Sequence, residues 1–348
     1  MKITLILKDK ISERPPIQAL LEDLLALNEH ELQLISLDNV IYNSKVSHDI
    51  FKCDSRLKIA QYYKFRLYSE RQIKKFEPDL IWFCSLDSIL PLLYSSIFKE
   101  HKYNIQLQEL YDKFKFRRFL IKNICRLADN VIVPEYNRAH IIKYYFNLNE
   151  LPIVLPNKPS SNIDLTKLDL PTGVRSLISS NNKIKVIYQG HIGADRNIDL
   201  IAHQCLLNSN HVELYLMGKD HGYLDKLKKI NPDIIYLGYL KPPYHLVVTS
   251  MMDLGVMHYS HRDLNNIFCA PNKIWEYTGF GLPIISNDMP GVTYMIEKYN
   301  IGEIYNSSKD VENAFLKLIK GIDTYKSNSE EFFNSVSRRD IVVKLVNE

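Results

Sequence analysis

Short apolar runs at 3–7, 32–37, 80–84, 104–107 and 130–133 alternate with stretches at 17–27, 55–75, 88–98, 113–127 and 136–146 whose apolar residues recur every three or four positions. Runs of that length suit strands buried on both faces, and the 3.6-residue recurrence suits amphipathic helices. The prolines Pro15 and Pro16 mark the start of the first helix, where a missing N–H costs nothing. The repeated β-α order implies a parallel sheet covered by helices. At 156–183, from Pro156-Asn157-Lys158-Pro159-Ser160-Ser161 to Ser179-Ser180-Asn181-Asn182-Lys183, periodicity fades and Pro, Ser and Asn accumulate, which marks a domain boundary. The alternation then restarts, with strands at 184–189, 212–217, 234–237, 253–258 and 282–286 and helices at 197–207, 222–229, 243–250, 272–278 and 291–298. The chain therefore reads as an α/β protein of two doubly wound domains, 1–160 and 161–324, with the helical tail from about 325 to 348 packing back on the first. Ligands of such sheets bind beyond the carboxyl ends of the strands.

A length of 348 residues agrees with two domains, and 46% hydrophobic with 24% charged residues is the composition of an ordinary globular chain. Five cysteines, an odd number without C-x-x-C spacing, argue against a disulfide framework and a structural zinc site and point to a reducing cytoplasm. The apolar run after Met1 is too short for a signal segment, and none elsewhere approaches the roughly 18 residues that cross a bilayer, so the expectation is a cytoplasmic protein. Net charge is +4, and it is uneven: residues 51–126 hold 16 Lys and Arg against 8 Asp and Glu. There, in Lys113-Phe114-Lys115-Phe116-Arg117-Arg118-Phe119 above all, basic and aromatic residues interleave. Such a segment suits a solvated helix face or an anionic membrane surface; no RNA or DNA module accompanies it, so nucleic acid is not an expected partner.

Two segments carry candidate chemistry. In Ala270-Pro271-Asn272-Lys273-Ile274-Trp275-Glu276-Tyr277-Thr278-Gly279-Phe280-Gly281, a loop enters a short helix that Asn272 is expected to cap. Free N–H groups at its start and the charge of Lys273 suit a pyrophosphate. Glu276, three residues on and on the same side, suits the hydroxyls of a ribose. In Tyr188-Gln189-Gly190-His191-Ile192-Gly193-Ala194-Asp195-Arg196, a strand runs into glycines and an arginine that can pair with phosphate. Neither a G-x-G-x-x-G nor a Walker loop is present.

In this order the motifs resemble the GT-B glycosyltransferases that use nucleotide sugars, specifically the retaining enzymes of family 4. The likeness is clearest over 184–300, where Leu216-Met217-Gly218, Tyr236-Leu237-Gly238-Tyr239-Leu240, Leu254-Gly255-Val256-Met257-His258-Tyr259-Ser260 and the P-x-K-x-x-E-Y helix follow one another. The resemblance implies two Rossmann-like domains with a cleft between them. It also implies Arg196 and Lys273 on the donor diphosphate and Glu276 on the ribose. The Tyr239-Leu240 backbone would lie near the base, and the backbone at Gly190, His191 and Asn272 would face the phosphates and sugar. Fixed cations on the leaving diphosphate make a metal unnecessary in such a site, so no metal or other cofactor is expected. In the first half the likeness rests on Gln106-Leu107-Gln108-Glu109-Leu110, Leu127-Ala128-Asp129-Asn130-Val131-Ile132-Val133 and Val154-Leu155-Pro156-Asn157, and it implies an acceptor site at Gln108 and Glu109, the latter also a catalytic candidate.

The sequence departs from the family pattern at four places. Phe268 stands where the first acid of an E-x7-E pair is common, His191 where many relatives have Arg, Gln108 in a His place, and Arg14-Pro15-Pro16 where a Gly-Gly loop is usual. The expected function is transfer of a sugar from a UDP- or GDP-sugar to a hydroxyl of a glycan or polyprenyl-linked acceptor in cell-surface polysaccharide synthesis, with retention, at the inner face of the membrane. Gln108 and Phe268 leave one alternative, a non-catalytic subunit that activates a partner transferase; a second is a nucleotide-sugar epimerase, which would need acid and base carboxylates in the cleft and against which the missing acid at Phe268 counts. His191, His258 and His261 lack metal-ligand spacing, and no G-x-S-x-G hydrolase motif occurs.

Overall fold

A computed structural model describes residues 1–38, 45–159 and 165–347. The chain divides into two compact units, Met1–Ser160 with Ser337–Glu348, and Ser161–Val336. Residues 160–164, at the change from one to the other and within the Pro- and Ser-rich stretch, lie outside the described ones.

Unit 1 is built on β1 (Lys2–Ile6), β2 (Glu31–Ser36), β3 (Val46–Ile50), β4 (Leu80–Phe83), β5 (Lys102–Gln106), β6 (Asn130–Val133) and β7 (Ile153–Val154). They form one seven-stranded sheet in the order β3-β2-β1-β4-β5-β6-β7, with parallel pairing throughout. The central strands are the apolar runs of the sequence. The edge strands β3 and β7 were not expected as strands, because Val46-Ser47-His48-Asp49-Ile50 is half polar and only partly buried, and β7 has two residues. The single helix expected at 88–98 is instead Leu86–Ile89, a 3-10 turn Leu90–Leu92 and Ile97–Glu100. Pro91 supplies no N–H to continue an α-helix there.

Unit 2 holds β8 (Ile184–Gln189), β9 (Val212–Met217), β10 (Ile235–Tyr236), β11 (Leu254–Met257), β12 (Ile284–Asn287) and β13 (Gly302–Tyr305). Their order is β10-β9-β8-β11-β12-β13, again parallel. One apolar layer joins Ile198, Ile201, Cys205, Phe315 and Leu318 to one face of the sheet. The opposite layer joins Ile274, Trp275, Tyr277, Val292 and Ile296 to the other. β13, Gly-Glu-Ile-Tyr, has too few apolar residues to stand out in the sequence.

The tail is three helices, Val311–Lys320, Ile322–Asn334 and Arg338–Asn347. Ile322–Asn334 belongs to unit 2, where Phe332 stacks on Trp275 at 4.9 Å. The return to unit 1 therefore comes at Ser337 and not near 325. Arg338–Asn347 closes the unit 1 core through Val342, Leu345 and Val346. Its buried Arg338 donates from Nε to Asp23 at 2.8 Å and from Nη1 to the Pro156 carbonyl. Burial lowers the pKa of Arg338 and raises that of Asp23, each offset by the charge of the other.

Candidate functional site

The three strands β8, β9 and β10 of unit 2 end in glycines with left-handed backbone: Gly190 at φ +127°, Gly218 at +151° and Gly238 at +74°. They interlock, with the Gly190 N–H donating to the Met217 carbonyl and the Gly218 N–H to the Gly238 carbonyl, each at 2.8 Å. A Cβ on Gly218 would lie 1.7 Å from the Gly190 carbonyl oxygen, so this corner tolerates no side chain. A Cβ on Gly190 would lie 3.1 Å from both Cε and Nζ of Lys273. The ammonium thus sits against bare backbone at the strand end.

Lys273 comes from the helix Asn272–Thr278. The cap position is Pro271, extended at φ −71° and ψ 139°, and no side chain caps this end. Asn272 is consequently the first helical residue and does not cap, contrary to the expectation, because Pro271, extended by its ψ, holds the cap position. The Lys273 ammonium lies 4.2 Å from the centroid of Tyr188 and 5.5 Å from that of Tyr259. Burial, reinforced by the Arg196 charge and opposed by Glu276, pushes its pKa down to about 7. The Arg196 guanidinium lies 4.7 Å from the same Tyr259 ring, with Nη1 3.5 Å from Asp195 Oδ2 and 3.5 Å from Asn266 Oδ1. Asn287 fixes Tyr259 by accepting from its N–H at 3.0 Å and donating to its carbonyl at 2.9 Å.

Glu276, one turn after Lys273, is buried. One carboxylate oxygen accepts from Gln189 Nε2 at 2.5 Å and the other lies 3.2 Å from His245 Nε2. Gln189 Oε1 in turn accepts from Thr249 Oγ1 at 2.7 Å. The Gln189 N–H donates to the Tyr277 hydroxyl at 3.2 Å. A neighbouring glycine, Gly255, makes room for that ring, since a Cβ there would lie 2.3 Å from Tyr277 Cδ2. Gln189, His245 and Thr249 were not singled out in the sequence. Gln189 carried a faint signal, as a buried amide ending an apolar strand beside Gly190; His245 and Thr249 carried none.

The other expected residues scatter around this centre. His191 is turned to Asp195, Nε2 to Oδ1 at 3.1 Å, and its ring lies 4.1 Å from His221. Tyr239 is exposed beneath the Lys219 ammonium at 4.7 Å, whereas the Leu240 side chain is in the apolar core. His258 and His261 share a cavity of about 510 Å³ with Tyr259, Asn287, Tyr305, Asn306 and Ser308, at the carboxyl ends of β11, β12 and β13; His191 does not line it. His258 Nδ1 is 2.7 Å from the Tyr305 hydroxyl, and burial with the nearby His261, Arg196 and Lys273 pushes its pKa to about 4. Among the described residues no three His, Cys, Asp or Glu side chains are grouped as a metal site.

Gln108 and Glu109 lie in unit 1, just beyond β5. The exposed Glu109 carboxylate is 3.7 Å from Nη1 of the buried Arg138, which also donates to the Gln108 carbonyl. Glu135 orients Arg138 by capping the helix Tyr136–Phe146, accepting from the N–H groups of Asn137 and Arg138 at 2.9 and 3.0 Å. Gln108 Nε2 is buried without a hydrogen bond among the described residues.

No protein-family model matches the sequence, and no curated protein does. Solved structures resemble the chain over its whole length. Sucrose-phosphate synthase from Thermosynechococcus elongatus superposes with a TM-score of 0.72 at 14% identity, over 100% of this chain and 98% of that one. HepE from Anabaena in complex with UDP-glucose gives 0.73 at 13% identity, over 100% and 99%. WaaG, a glycosyltransferase involved in lipopolysaccharide biosynthesis, gives 0.65 at 10% identity, over 99% and 98%. With parallel sheets of seven and six strands and this likeness from end to end, the chain has the GT-B fold, a pair of Rossmann-like domains.

Proposed function

We propose that the chain is a glycosyltransferase that moves a sugar from a nucleotide diphosphate sugar to a hydroxyl of a glycan or polyprenyl-linked acceptor. The observation that carries this reading is the pair of cations, Lys273 and Arg196, held over Tyr259 beside the side-chain-free strand end at Gly190 and Gly218. A diphosphate can approach bare backbone there and meet two positive charges at once. The buried Glu276, held by Gln189 and His245, is oriented to accept from the ribose hydroxyls with its remaining lone pairs. Tyr239 and the Leu240 backbone are assigned to the base, and the cavity of hydroxyl, amide and imidazole groups with the Asp288 carboxylate beside Tyr259 to the sugar.

In the reaction the bond from the anomeric carbon to the diphosphate oxygen breaks and the nucleoside diphosphate leaves with the electron pair. Lys273 and Arg196 offset the charge that builds on it, in a site whose low dielectric strengthens the effect. The acceptor oxygen bonds to the anomeric carbon and its proton passes to the departing phosphate oxygen, with retention as the resemblance implies. Glu109, kept in place by Arg138, is the carboxylate of unit 1 proposed to orient the acceptor. Such acceptors are extended at the inner face of a bilayer.

The test is a thermal-shift panel with UDP, GDP, CMP and their sugars, with and without EDTA, on the wild type and Lys273→Ala. The expected result is a rise in Tm with one nucleoside diphosphate, unchanged by EDTA and lost in Lys273→Ala. No shift with any member would sink the donor site. Binding without turnover of the matching nucleotide sugar, in the presence of a range of acceptors, would move the chain to the non-catalytic subunit.

A further inference from the structure

The helix Lys115–Leu127 of unit 1 carries its apolar side chains on the wrong side for a soluble surface. Ile121 and Cys125 face the core and are fully buried, yet Phe116, Phe119 and Leu127 are 72%, 73% and 74% exposed. With 3.6 residues per turn, Phe116, Phe119 and Leu127 fall on one outward stripe about 17 Å long, with the polar Asn123 between Phe119 and Leu127. The same helix holds Lys115, Arg117, Arg118, Lys122 and Arg126 and not one Asp or Glu. On the helical wheel Lys115, Lys122 and Arg126 border one edge of the stripe and Arg117 the other. Arg117 is engaged with Asp87 at 3.3 Å and Arg118 stacks over Tyr145 at 3.6 Å. Lys115, Lys122 and Arg126 make no ion pair among the described residues. On this face of the basic stretch 51–126 large apolar groups and unneutralised cations stand together; the helix Lys58–Phe76 of the same stretch also exposes Ile59, Tyr63 and Leu67.

We infer that this face lies on an anionic phospholipid bilayer, with the helix in the plane of the interface. Phe116, Phe119 and Leu127 then enter the acyl boundary, and the row of cations meets the negative headgroups. Large exposed apolar side chains grouped on one face mark an interaction site, and apolar insertion plus clustered Lys and Arg is the pairing that holds interfacial helices. Charge complementarity selects the leaflet: a neutral bilayer offers the apolar half of the interaction alone. Among the described residues no helix is long and apolar enough to cross a membrane, so the contact is peripheral. This assignment names a partner for the transferase reading, yet it rests on the surface of unit 1 alone and stands or falls without the donor site.

The experiment is co-sedimentation of the full chain with vesicles of phosphatidylcholine alone and of phosphatidylcholine with phosphatidylglycerol. The wild type, Phe116→Ser/Phe119→Ser and Lys115→Gln/Lys122→Gln/Arg126→Gln are compared at low and high salt. The variants change exposed side chains and the half-buried Lys122, and an unaltered thermal unfolding curve verifies that each is folded. The expected result is binding to the mixed vesicles, weakened by salt, with partitioning reduced about a hundredfold by removal of the three charges and also lost in the double serine variant. Equal binding of wild type and the double serine variant would overturn the proposal, as would no binding to mixed vesicles. Self-association of the wild type that the serine variant abolishes, without vesicle binding, would assign the face to a second copy and equally overturn it.

Discussion

Lys273 gives the donor site a pH dependence whose sign and size follow from its surroundings. Its pKa falls from 10.5 to about 7, a change of roughly 3.5 units or at most ~5 kcal/mol, caused first by burial and then by Arg196. Because the folded value lies below the unfolded one, the native state binds fewer protons between pH 7 and 10.5, and stability without ligand rises with pH across that window. Donor binding has the opposite slope. A diphosphate about 4 Å from the ammonium contributes about 4 kcal/mol at an effective dielectric of 20, or roughly 3 units, which returns the lysine to near its ordinary value. Affinity for the nucleotide sugar is then flat below pH 7 and falls about tenfold per pH unit above it. A nucleotide sugar is the proper probe, because its diphosphate diester takes up no proton in this range. Calorimetric titration at about pH 8 in buffers of different ionisation enthalpy should show uptake of roughly nine-tenths of a proton on binding. Lys273→Arg, which stays charged, should bind without the slope. A wild type whose affinity and proton uptake do not change between about pH 6 and 8.5 would refute the argument, since it would mean that the ammonium keeps its charge in the free site or does not meet the diphosphate.

Two further predictions concern what holds each unit. Asp23→Ala leaves the Arg338 guanidinium buried without its carboxylate, and urea unfolding should show a loss of about 3–5 kcal/mol, whereas Asp23→Leu/Arg338→Met should restore most of it. Gly218→Ala drives a Cβ into the Gly190 carbonyl from a backbone at φ +151°, so a loss of ~3 kcal/mol or more is expected, together with the nucleotide-induced rise in Tm. An unchanged melting curve with intact nucleotide response would show that the strand-end corner can yield.

The fold was legible where burial on both faces leaves a continuous apolar run. β1, β2, β4, β6, β8, β9, β11 and β12 come close to such runs, whereas β5, Lys-Tyr-Asn-Ile-Gln, does not and is placed by the alternation of elements. β3 and β13 are edge strands of five and four residues with polar positions, and their pairing comes from the sheet that precedes them rather than from their own pattern. The tail misled because both Ile322–Asn334 and Arg338–Asn347 read as helices, and the packing of Phe332 on Trp275 against that of Leu345 and Val346 on the unit 1 core separates them. Of the site, Lys273, Glu276, Arg196 and Gly190 were visible because their spacing is local to one helix or one turn. Gln189, His245 and Thr249 were not, because the network in which Gln189 and His245 reach Glu276 and Thr249 reaches Gln189 joins segments up to 87 positions apart.

That hidden part explains why the visible part has its geometry. Glu276 and Lys273 sit three residues apart on one helix, and left alone the carboxylate and ammonium would pair with each other. Gln189 and His245 occupy Glu276 instead, and Tyr188 and Tyr259 offer Lys273 their ring faces, so no ion pair joins the two. An ammonium without a carboxylate partner, beside Arg196, in a buried place, is the arrangement that lowers its pKa to about 7. The cost of holding Lys273 and Arg196 together is then largely avoided in the free protein by losing a proton and recovered when an anion arrives. Separating Glu276 from Lys273 is therefore what keeps one group ready for hydroxyls and the other for phosphate. Gln189→Leu, which frees one carboxylate oxygen, should let Glu276 turn to Lys273 and raise the lysine pKa. The pH midpoint of nucleotide-sugar binding would then move upward; a midpoint unchanged from the wild type would show that Gln189 does not keep the two apart.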